Sequence, residues 1–560
     1  MRSPELLDER RLTPKNRDHI TAALPVAIGF SGLFGLQLLA IAVAGRRSSR
    51  LLVVLALFGG ACFQGLGLAT DRMPSTDLYS YVSYGRLLAV HGLNPYLASP
   101  SDVPWDPFYA RVYWKFVPSF YGPAWTLISA GLALLGGEDV DLTVHLFRGV
   151  PILAALLTGV LVVLIARQVD PTVSARAAIG WLWSPLVVVE SGVSGHNDAL
   201  VSLGVAAGIW LVASRWSAAG IAAATAGAMV KLSGAIILPL LGLRGLRQTG
   251  GWLSGAALCV RSALAVLAVA IPSFAAVWAG PETLAVGTLG AGADRYTNAL
   301  AEPLLGALRL ELGESIDDVE VPLQFVGWWV ATHAPSTLRA GRSDSSRIVG
   351  EIPPWNELLV LSPERDARLR VLDPYTHRIG YVVSVTVGPS DRPDTFDEDQ
   401  MVLSRERGPM GSATLHQANA LIRRVGWGAL GLALLLGACF GTGSTRGLLV
   451  AWSGVMLVLH YVGSTWYWPW YVMWSLPAAA LIPGTWIGVW TLLLSWSSML
   501  LYSLLGFGET AYWPLQTFRS AAVFGLPVLG LAVWFVARFL VWVVAFSVRL
   551  SRPSRPASPA

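Results

Sequence analysis

Runs of about twenty apolar residues recur through this 560-residue chain, and they limit its possible folds more than any other feature. A helix needs about 20 mostly apolar residues to cross a bilayer, and its backbone polar groups are then satisfied within the helix. Only 13% of the residues are charged, against roughly 25% in ordinary soluble domains. The sequence therefore predicts an all-α polytopic membrane protein and excludes a soluble globular enzyme.

The sequence contains thirteen candidate spans, several of them shorter than 20 residues, and these predict about 13 transmembrane helices. The predicted spans are 20–44, 51–70, 142–167, 177–192, 198–214, 217–232, 234–244, 255–279, 425–442, 446–463, 471–484, 485–506 and 520–548. The shorter apolar stretch 121–137 is predicted to be an interfacial or re-entrant helix, with a true span as the alternative. Gly122 and Pro123 are expected to start it, because proline suits the first turn of a helix.

Arginine placement predicts the orientation, because cytoplasmic loops are enriched in Lys and Arg. The residues that we assign to the cytoplasmic side are Arg46, Arg47, Arg50, Arg167, Arg176, Arg215, Arg244, Arg247, Arg446, Arg549, Arg552 and Arg555. The polar and aromatic segments 71–120, 193–197, 280–424, 464–470 and 507–519 then all face outside. We therefore expect a multi-pass protein of the cell membrane with its site on the outer face. The basic residues are read as topology determinants, and no nucleic-acid partner is expected.

One segment differs in composition from the rest. Residues 311–424 contain 17 of the 35 acidic residues. Strand-like alternation at 347–351, 357–361, 368–373 and 378–385 predicts a small extracytoplasmic β-barrel or meander at about 326–388. The acidic stretch 391–399 is predicted to be a solvated linker. The membrane domain is thus expected to comprise residues 1–310 and 425–548, followed by a basic cytoplasmic tail at 549–560.

Asp77 is the first candidate for chemistry, in the stretch 75–86 that follows the second predicted span. It is either part of a helix N-cap region or a general base that removes a proton from an acceptor hydroxyl. Tyr79 is either an interfacial anchor or a ring on which a sugar stacks. Arg86, near the end of the same stretch, is taken as a substrate-binding residue.

A second candidate group, His196, Asn197 and Asp198, lies between two apolar spans. Polar residues at that position are costly unless they are hydrogen-bonded or functional. Helix N-capping by Asn197 or Asp198 is the alternative to substrate binding. A zinc site is weakly supported, because no third ligand has matching spacing.

Two cations and an aromatic run complete the candidates. Lys231 either extends toward the interface or binds a lipid phosphate, and Arg295 is either a second phosphate contact or a solvated loop charge. Residues 466–471 contain five aromatic side chains, including Trp468 and Tyr471. This run forms an interfacial belt, a floor for a sugar or polyprenyl chain, or both.

Together these segments resemble polytopic glycosyltransferases of the GT-C class. They are most similar to bacterial polyprenyl-phosphate-mannose-dependent α-mannosyltransferases of the α-(1→6)-mannopyranosyltransferase type. The stretches that carry the resemblance are 77–96, 121–125, 195–200, 231–232, 294–298 and 468–477. The insert separately resembles a bacterial Src-homology-3-type barrel in residues 350–361, 367–374 and 379–382, and such a module either binds peptides or cell-wall material or acts as a spacer.

The resemblance implies a GT-C-like helical bundle and transfer of a hexose, most simply mannose, from a polyprenyl-phosphate donor. The acceptor would be a glycan or glycolipid, the base would be Asp77, and no cofactor is implied; a divalent metal is not indicated. Relatives often have an acidic residue before Gly85 and Arg86, where this chain has Tyr84. The alternatives are a transporter or flippase of a lipid or glycan, and a membrane scaffold that displays the inserted barrel.

Overall fold

The fold is known from a computed structural model that describes residues 14–550 except for several short segments. The segments left out are 46–48, 71–73, 104, 113, 116–117, 281–282, 284–297, 312–328, 366, 374–377, 390–412 and 505–512. The described α-helices are α1 Pro14–Ala44, α2 Arg50–Leu68, α3 Asp77–Ala89, α4 Pro123–Gly136, α5 Val140–Val169, α6 Ser174–Leu182, α7 Pro185–Val187, α8 Asp198–Ala213, α9 Ser217–Val230, α10 Leu238–Leu246, α11 Trp252–Ala275, α12 Glu302–Glu311, α13 Ala413–Leu436, α14 Thr445–Val458, α15 Leu476–Ala480, α16 Trp486–Leu504, α17 Trp513–Ser520 and α18 Leu526–Leu550.

Eight helical segments in the described part of the chain are long and apolar enough to cross a membrane, and they match eight of the predicted spans. A ninth arises if Pro171–Leu182 and Pro185–Val193, bent by 47°, cross as one. The predicted spans 198–214, 217–232 and 234–244 are apolar helices of fewer than 18 residues. The figure of about 13 transmembrane helices is thus not confirmed.

The predicted span 471–484 was wrong. Residues Pro469–Trp474 form a 3-10 helix, and the following α-helix, Leu476–Ala480, has only five residues. The cause lies in Pro469 and Pro477, because proline lacks the N–H needed in a helix interior and favours the start of a new turn. This break leaves the aromatic run as a compact irregular segment within the bundle.

Small residues allow the central helices to approach closely. A Cβ atom added at Gly204 of α8 would lie 2.8 Å from Gly227 Cα of α9, so the two backbones nearly touch there. Such contacts are typical of helices packed in membranes, where van der Waals packing replaces the hydrophobic effect as the driving force. The close pairing fixes the start of α8 beside the end of α9.

Helix α4 begins where the sequence predicted, with Gly122 as N-cap and Pro123 in the first turn. Gly122 N donates to Val230 O at 2.9 Å, and a Cβ at this position would overlap Met229 O. Only glycine allows this backbone contact. The contact joins the start of α4 to the end of α9.

Seven antiparallel strands confirm a small β structure within the predicted insert. Their bounds are β1 Trp329–Thr332, β2 Ser336–Arg339, β3 Ile348–Ile352, β4 Glu357–Arg365, β5 Arg368–Asp373, β6 Arg378–Val383 and β7 Val387–Pro389. The sheet order is β3-β2-β6-β5-β4-β1-β7. Closure into a barrel is not confirmed, and the acidic linker 391–399 lies outside the described residues. Buried Leu358, Val360, Val371 and Val382 form the core of this unit, as the alternation predicted.

Candidate active site

Polar side chains from distant parts of the chain meet at one end of the bundle. We call this group the polar cluster, and its members are Asp77, Glu190, His196, Asp198 and Lys231. Asp77 begins α3, Asp198 begins α8 and Lys231 follows α9. The aromatic segment, residues 466–474, is distant in the sequence but packs against the cluster.

A π-helical turn, Val188–Val193, brings Glu190 into the cluster. Such turns are rare and often occur at functional sites. Gln64 of α2, fully buried, holds this turn by donating to Val187 O at 3.4 Å and accepting from Ser191 Oγ at 3.1 Å. Gly195 then reverses the chain with φ +71°, a conformation that disfavours other residues. The reversal turns His196 back toward Glu190.

His196 is held on every side. Its Nδ1 lies 2.8 Å from Glu190 Oε2, and its backbone N–H donates to Glu190 O at 2.7 Å. Its Nε2 lies 3.2 Å from Ser75 Oγ and 3.9 Å from Asp77 Oδ2. The ring is fully buried and stacks on Trp470 at 3.9 Å between centroids. Burial lowers the pKa of His196 to about 4, so the imidazole is neutral at neutral pH.

Asp77 lies at the open edge of the cluster, with 20% of its side chain exposed. Its backbone N–H donates to Ser75 Oγ at 3.3 Å, and Tyr121 Oη donates to Asp77 Oδ2 at 3.5 Å. Burial raises the pKa of Asp77, while the nearby His196 and Lys231 and a hydrogen bond from Trp114 oppose the shift. An exposed carboxylate with a raised pKa is better matched to proton removal than an ordinary one.

Asp198 and Lys231 form the ion pair of the cluster. Lys231 Nζ donates to both carboxylate oxygens of Asp198 at 3.0 Å, and Trp474 Nε1 donates to Oδ1 at 2.7 Å. Asp198 is fully buried, whereas 18% of the Lys231 side chain is exposed. Lys231 Nζ also lies 4.9 Å from the ring centroid of Tyr471. The ammonium group of Lys231 therefore contacts protein partners on one side, and the side chain remains partly exposed.

The aromatic segment contributes a stack of rings. Trp468 lies parallel to Trp470 at 4.9 Å, and Trp470 lies against His196, so three rings follow one another. Tyr471 stacks on Trp474 at 4.6 Å beside Lys231. Trp468 and Tyr471, both predicted as binding residues, are partly buried and keep some exposed surface. A flat ring with one open side suits stacking against a sugar.

Two further predicted residues, Asn197 and Tyr79, lie in the same region of the bundle. Asn197 is fully buried, and neither atom of its side-chain amide has a hydrogen-bond partner. Tyr79, in the first turn of α3, is partly buried and packs against the hydrophobic core. A substrate-binding role for either residue stays a prediction.

Arg86 is placed elsewhere. Its Nε donates to Asp106 Oδ2 at 2.7 Å and its Nη1 donates to Gly137 O at 2.5 Å, while the guanidinium covers the Phe108 ring. His91 Nε2 lies 2.7 Å from the same Asp106 oxygen. Arg86 is almost completely buried, so it ties α3 to the end of α4 and does not join the polar cluster. Arg295 lies outside the described residues.

Four residues of this site escaped the sequence reasoning. Glu190 and Tyr502 lie within apolar spans, and Tyr502 Oη donates to Glu190 Oε1 at 2.8 Å. Trp470 was part of the aromatic run but was not singled out, and Trp474 lay in the predicted span 471–484. The one available signal was Glu190 itself, an acidic residue inside a predicted span, which by default suggests function. Within the described chain, no group of three or more His, Cys, Asp or Glu is arranged to hold a metal ion.

Comparison with known proteins finds a matching family and several similar curated proteins. Residues 68–247 match the family described as alpha-(1->6)-mannopyranosyltransferase, N-terminal domain. Alpha-(1->6)-mannopyranosyltransferase A of Mycobacterium tuberculosis is 30% identical over 248 residues, which is 41% of this chain and 45% of the relative. The protein of the same name from Corynebacterium glutamicum is 27% identical over 184 residues, 32% of this chain and 37% of the relative.

The aligned part of the chain thus spans less than half the length of these curated relatives. The residues that match the family, 68–247, include all five members of the polar cluster and leave out the aromatic segment. The comparisons confirm the resemblance to GT-C mannosyltransferases that the sequence indicated; they do not address the likeness of the insert to an Src-homology-3-type barrel.

The position of Arg86 predicts a structural role. Replacing it in Arg86→Gln leaves Asp106 buried without its guanidinium, and breaking such a pair costs about 3–5 kcal/mol. We expect a clear loss of thermal stability in detergent, measured by unfolding of the purified protein. A stable variant whose only defect is a raised substrate KM would instead support the substrate-binding role predicted from the sequence.

Proposed function

We propose that this chain, mannosyltransferase-like over residues 68–247, is an integral-membrane glycosyltransferase that moves a mannosyl group from a polyprenyl-phosphate donor to a glycan or glycolipid acceptor. The observation that carries the proposal is the convergence of Asp77, the Asp198–Lys231 pair and the aromatic segment at one end of the bundle. The relatives' names supply the sugar. The lipid-linked donor and the outer face follow from the resemblance and from the arginine distribution.

Two chemical requirements of this reaction have matching groups in the cluster. The acceptor hydroxyl needs a base, and Asp77 is the partly exposed carboxylate. The leaving phosphate needs a cation, and the reachable side of Lys231 offers one. As the acceptor oxygen bonds to the anomeric carbon, the bond from that carbon to the phosphate oxygen breaks. The phosphate keeps the electron pair, and the hydroxyl proton passes to Asp77.

The rest of the cluster supports binding and alignment. The exposed part of Trp468 is suited to stack on the hexose or to contact the polyprenyl chain, and Tyr471 lies beside Lys231. Asp198 holds Lys231 in place and is itself satisfied by Trp474. His196 is enclosed by protein on all sides, which argues against direct sugar contact and for a supporting role.

Helix direction supports a site on the outer face. The cluster lies at the start of α8 and the end of α9, whereas Arg215 lies in the turn that joins their opposite ends. Arg244 and Arg247, near the end of α10, donate to backbone carbonyls of residues 438–443 at the turn before α14. If these arginines mark the cytoplasmic side, the cluster opens on the other side.

Asp77→Asn tests the base. We expect the rate of transfer from polyprenyl-phosphate mannose to fall by about 10²–10⁴-fold, the usual contribution of a general base, with the fold intact. The measurement is product formation by purified protein with a lipid-linked sugar. Asp141→Asn, at an exposed position in the first turn of α5, is the matched control and should retain activity. Full activity of folded Asp77→Asn would rule out the assignment.

Lys231→Gln tests the phosphate contact. Loss of a hydrogen bond to a charged group, worth about 1.5–3 kcal/mol, predicts a rise of about 10–100-fold in the donor KM. Asp198→Asn breaks the same ion pair but keeps the cation. It therefore separates loss of the ion pair from loss of the cation, and it should raise the donor KM less than Lys231→Gln does. An equal rise in both variants would assign the defect to the lost ion pair.

The pH profile tests the state of Asp77. Because burial raises the pKa of this carboxyl, more of it is protonated at mildly acidic pH than for an ordinary aspartate, and only the ionised form accepts a proton. We expect kcat/KM to fall on the acid side at a pH above about 4, the ordinary aspartate value. An acid limb at or below that value would contradict the assignment.

A further inference from the structure

Glu190 is the least explained group near the site. It is fully buried, sits on the π-helical turn Val188–Val193, and contacts two side chains, His196 and Tyr502. Among the residues that the structure describes, its only ion-pair partner is His196, which is itself buried. A carboxylate in this position would be a buried negative charge without a permanent cation.

The free-energy cost of burying a charged carboxylate determines whether Glu190 is ionised or protonated. An isolated buried carboxylate is so unfavourable that the group takes up a proton instead. Tyr502 Oη donates to one oxygen of Glu190, which leaves the other oxygen, 2.8 Å from His196 Nδ1, to carry that proton. A carboxylic acid there donates to Nδ1, and the neutral imidazole then carries its own proton on Nε2.

The far side of the imidazole agrees with this arrangement. Nε2 lies 3.2 Å from Ser75 Oγ, which has a lone pair for an N–H, and 3.9 Å from the Asp77 carboxylate. An unprotonated Nε2 would instead direct its lone pair at the negatively charged carboxylate of Asp77, which is unfavourable. Asp77 N also donates to Ser75 Oγ, so the serine oxygen joins the base and the histidine.

We propose that Glu190 is a protonated carboxylic acid that donates to His196 Nδ1 and thereby keeps an N–H on Nε2 directed at Ser75 and Asp77. Glu190 and His196 are then positioning residues for Asp77: they orient its carboxylate and favour its ionised form. Tyr502 completes the chain from α16. The role differs from the sugar contact that the sequence suggested for His196.

Several other titratable groups face Asp77 and also influence whether its carboxyl group is ionised. They are Tyr81 and Tyr84 of α3, Tyr121 before α4, Asp198 of α8, Lys231 after α9, Tyr471 of the aromatic segment and Tyr502 of α16. Each of them is unchanged in the variants used below. A change in the behaviour of Asp77 is therefore attributable to Glu190 and His196.

The protonated acid has a direct signature that does not depend on activity. Infrared spectra of the purified full-length protein at neutral pH should contain the C=O stretching band of a buried carboxylic acid. Glu190→Gln should remove this band, and Asp77→Asn should retain it. Identical spectra of the wild type and Glu190→Gln in this region would overturn the proposal, whether or not the protein is a mannosyltransferase.

The positioning role is tested by pH profiles of transfer, and this arm alone rests on the proposed function. His196→Phe keeps a ring against Trp470 but removes the N–H, so the acid limb of kcat/KM should move up by about one pH unit. Glu190→Gln should leave the limb in place, because its amide N–H can replace the acid as donor to Nδ1 and its oxygen can accept from Tyr502. A shift in Glu190→Gln equal to that in His196→Phe would overturn the neutral-acid assignment.

Two other outcomes for His196→Phe would overturn the positioning role. A raised donor or acceptor KM in His196→Phe with an unmoved acid limb would assign His196 to sugar contact and overturn the positioning role. A uniform loss of activity at every pH would mean a structural role only, and would overturn it as well. If His196→Phe fails to fold, His196→Leu is the second variant, since it also lacks the N–H, and its acid limb should move up in the same way.

Discussion

The ion pair between Asp198 and Lys231 is the interaction on which the site depends. It joins the start of α8 to the residue after α9, and through Trp474 it also holds the aromatic segment. A buried carboxylate is tolerable here because three N–H donors satisfy it. Without this pair, the cation, the carboxylate and the rings would have no common anchor, and Asp77 would lose two of the charges that determine its protonation.

Composition and hydrophobic periodicity were sufficient for the general architecture. Eight predicted spans match long apolar helices, and four predicted strand positions coincide closely with β3, β4, β5 and β6. These features are local, because a run of apolar residues or an alternation determines its own structure. The span predicted at 471–484 was wrong because hydropathy takes no account of Pro469 and Pro477, which interrupt the helix.

The site was only partly accessible to the same reasoning. Asp77, His196, Asp198 and Lys231 stood out as polar residues beside apolar spans, and the structure brings them together. Arg86 stood out for the same reason, but it pairs with Asp106, twenty positions away in a loop whose path no periodicity predicts. Glu190 was hidden because a π-helical turn redirects it, and such a turn depends on contacts with α2 that only the assembled bundle supplies.

The brevity of the helices around the site has a consequence for the lipid. Helices α4, α8 and α9 contain 14, 16 and 14 residues, or about 21–24 Å at a rise of 1.5 Å per residue, whereas a bilayer core is about 30 Å thick. Thinning of the surrounding bilayer is one of the ways in which such hydrophobic mismatch is relieved. A membrane that is thinner beside Lys231 would bring the headgroup of the proposed lipid-linked donor to the level of the cluster, so that donor would reach the site by lateral diffusion while its tail stays in the hydrocarbon.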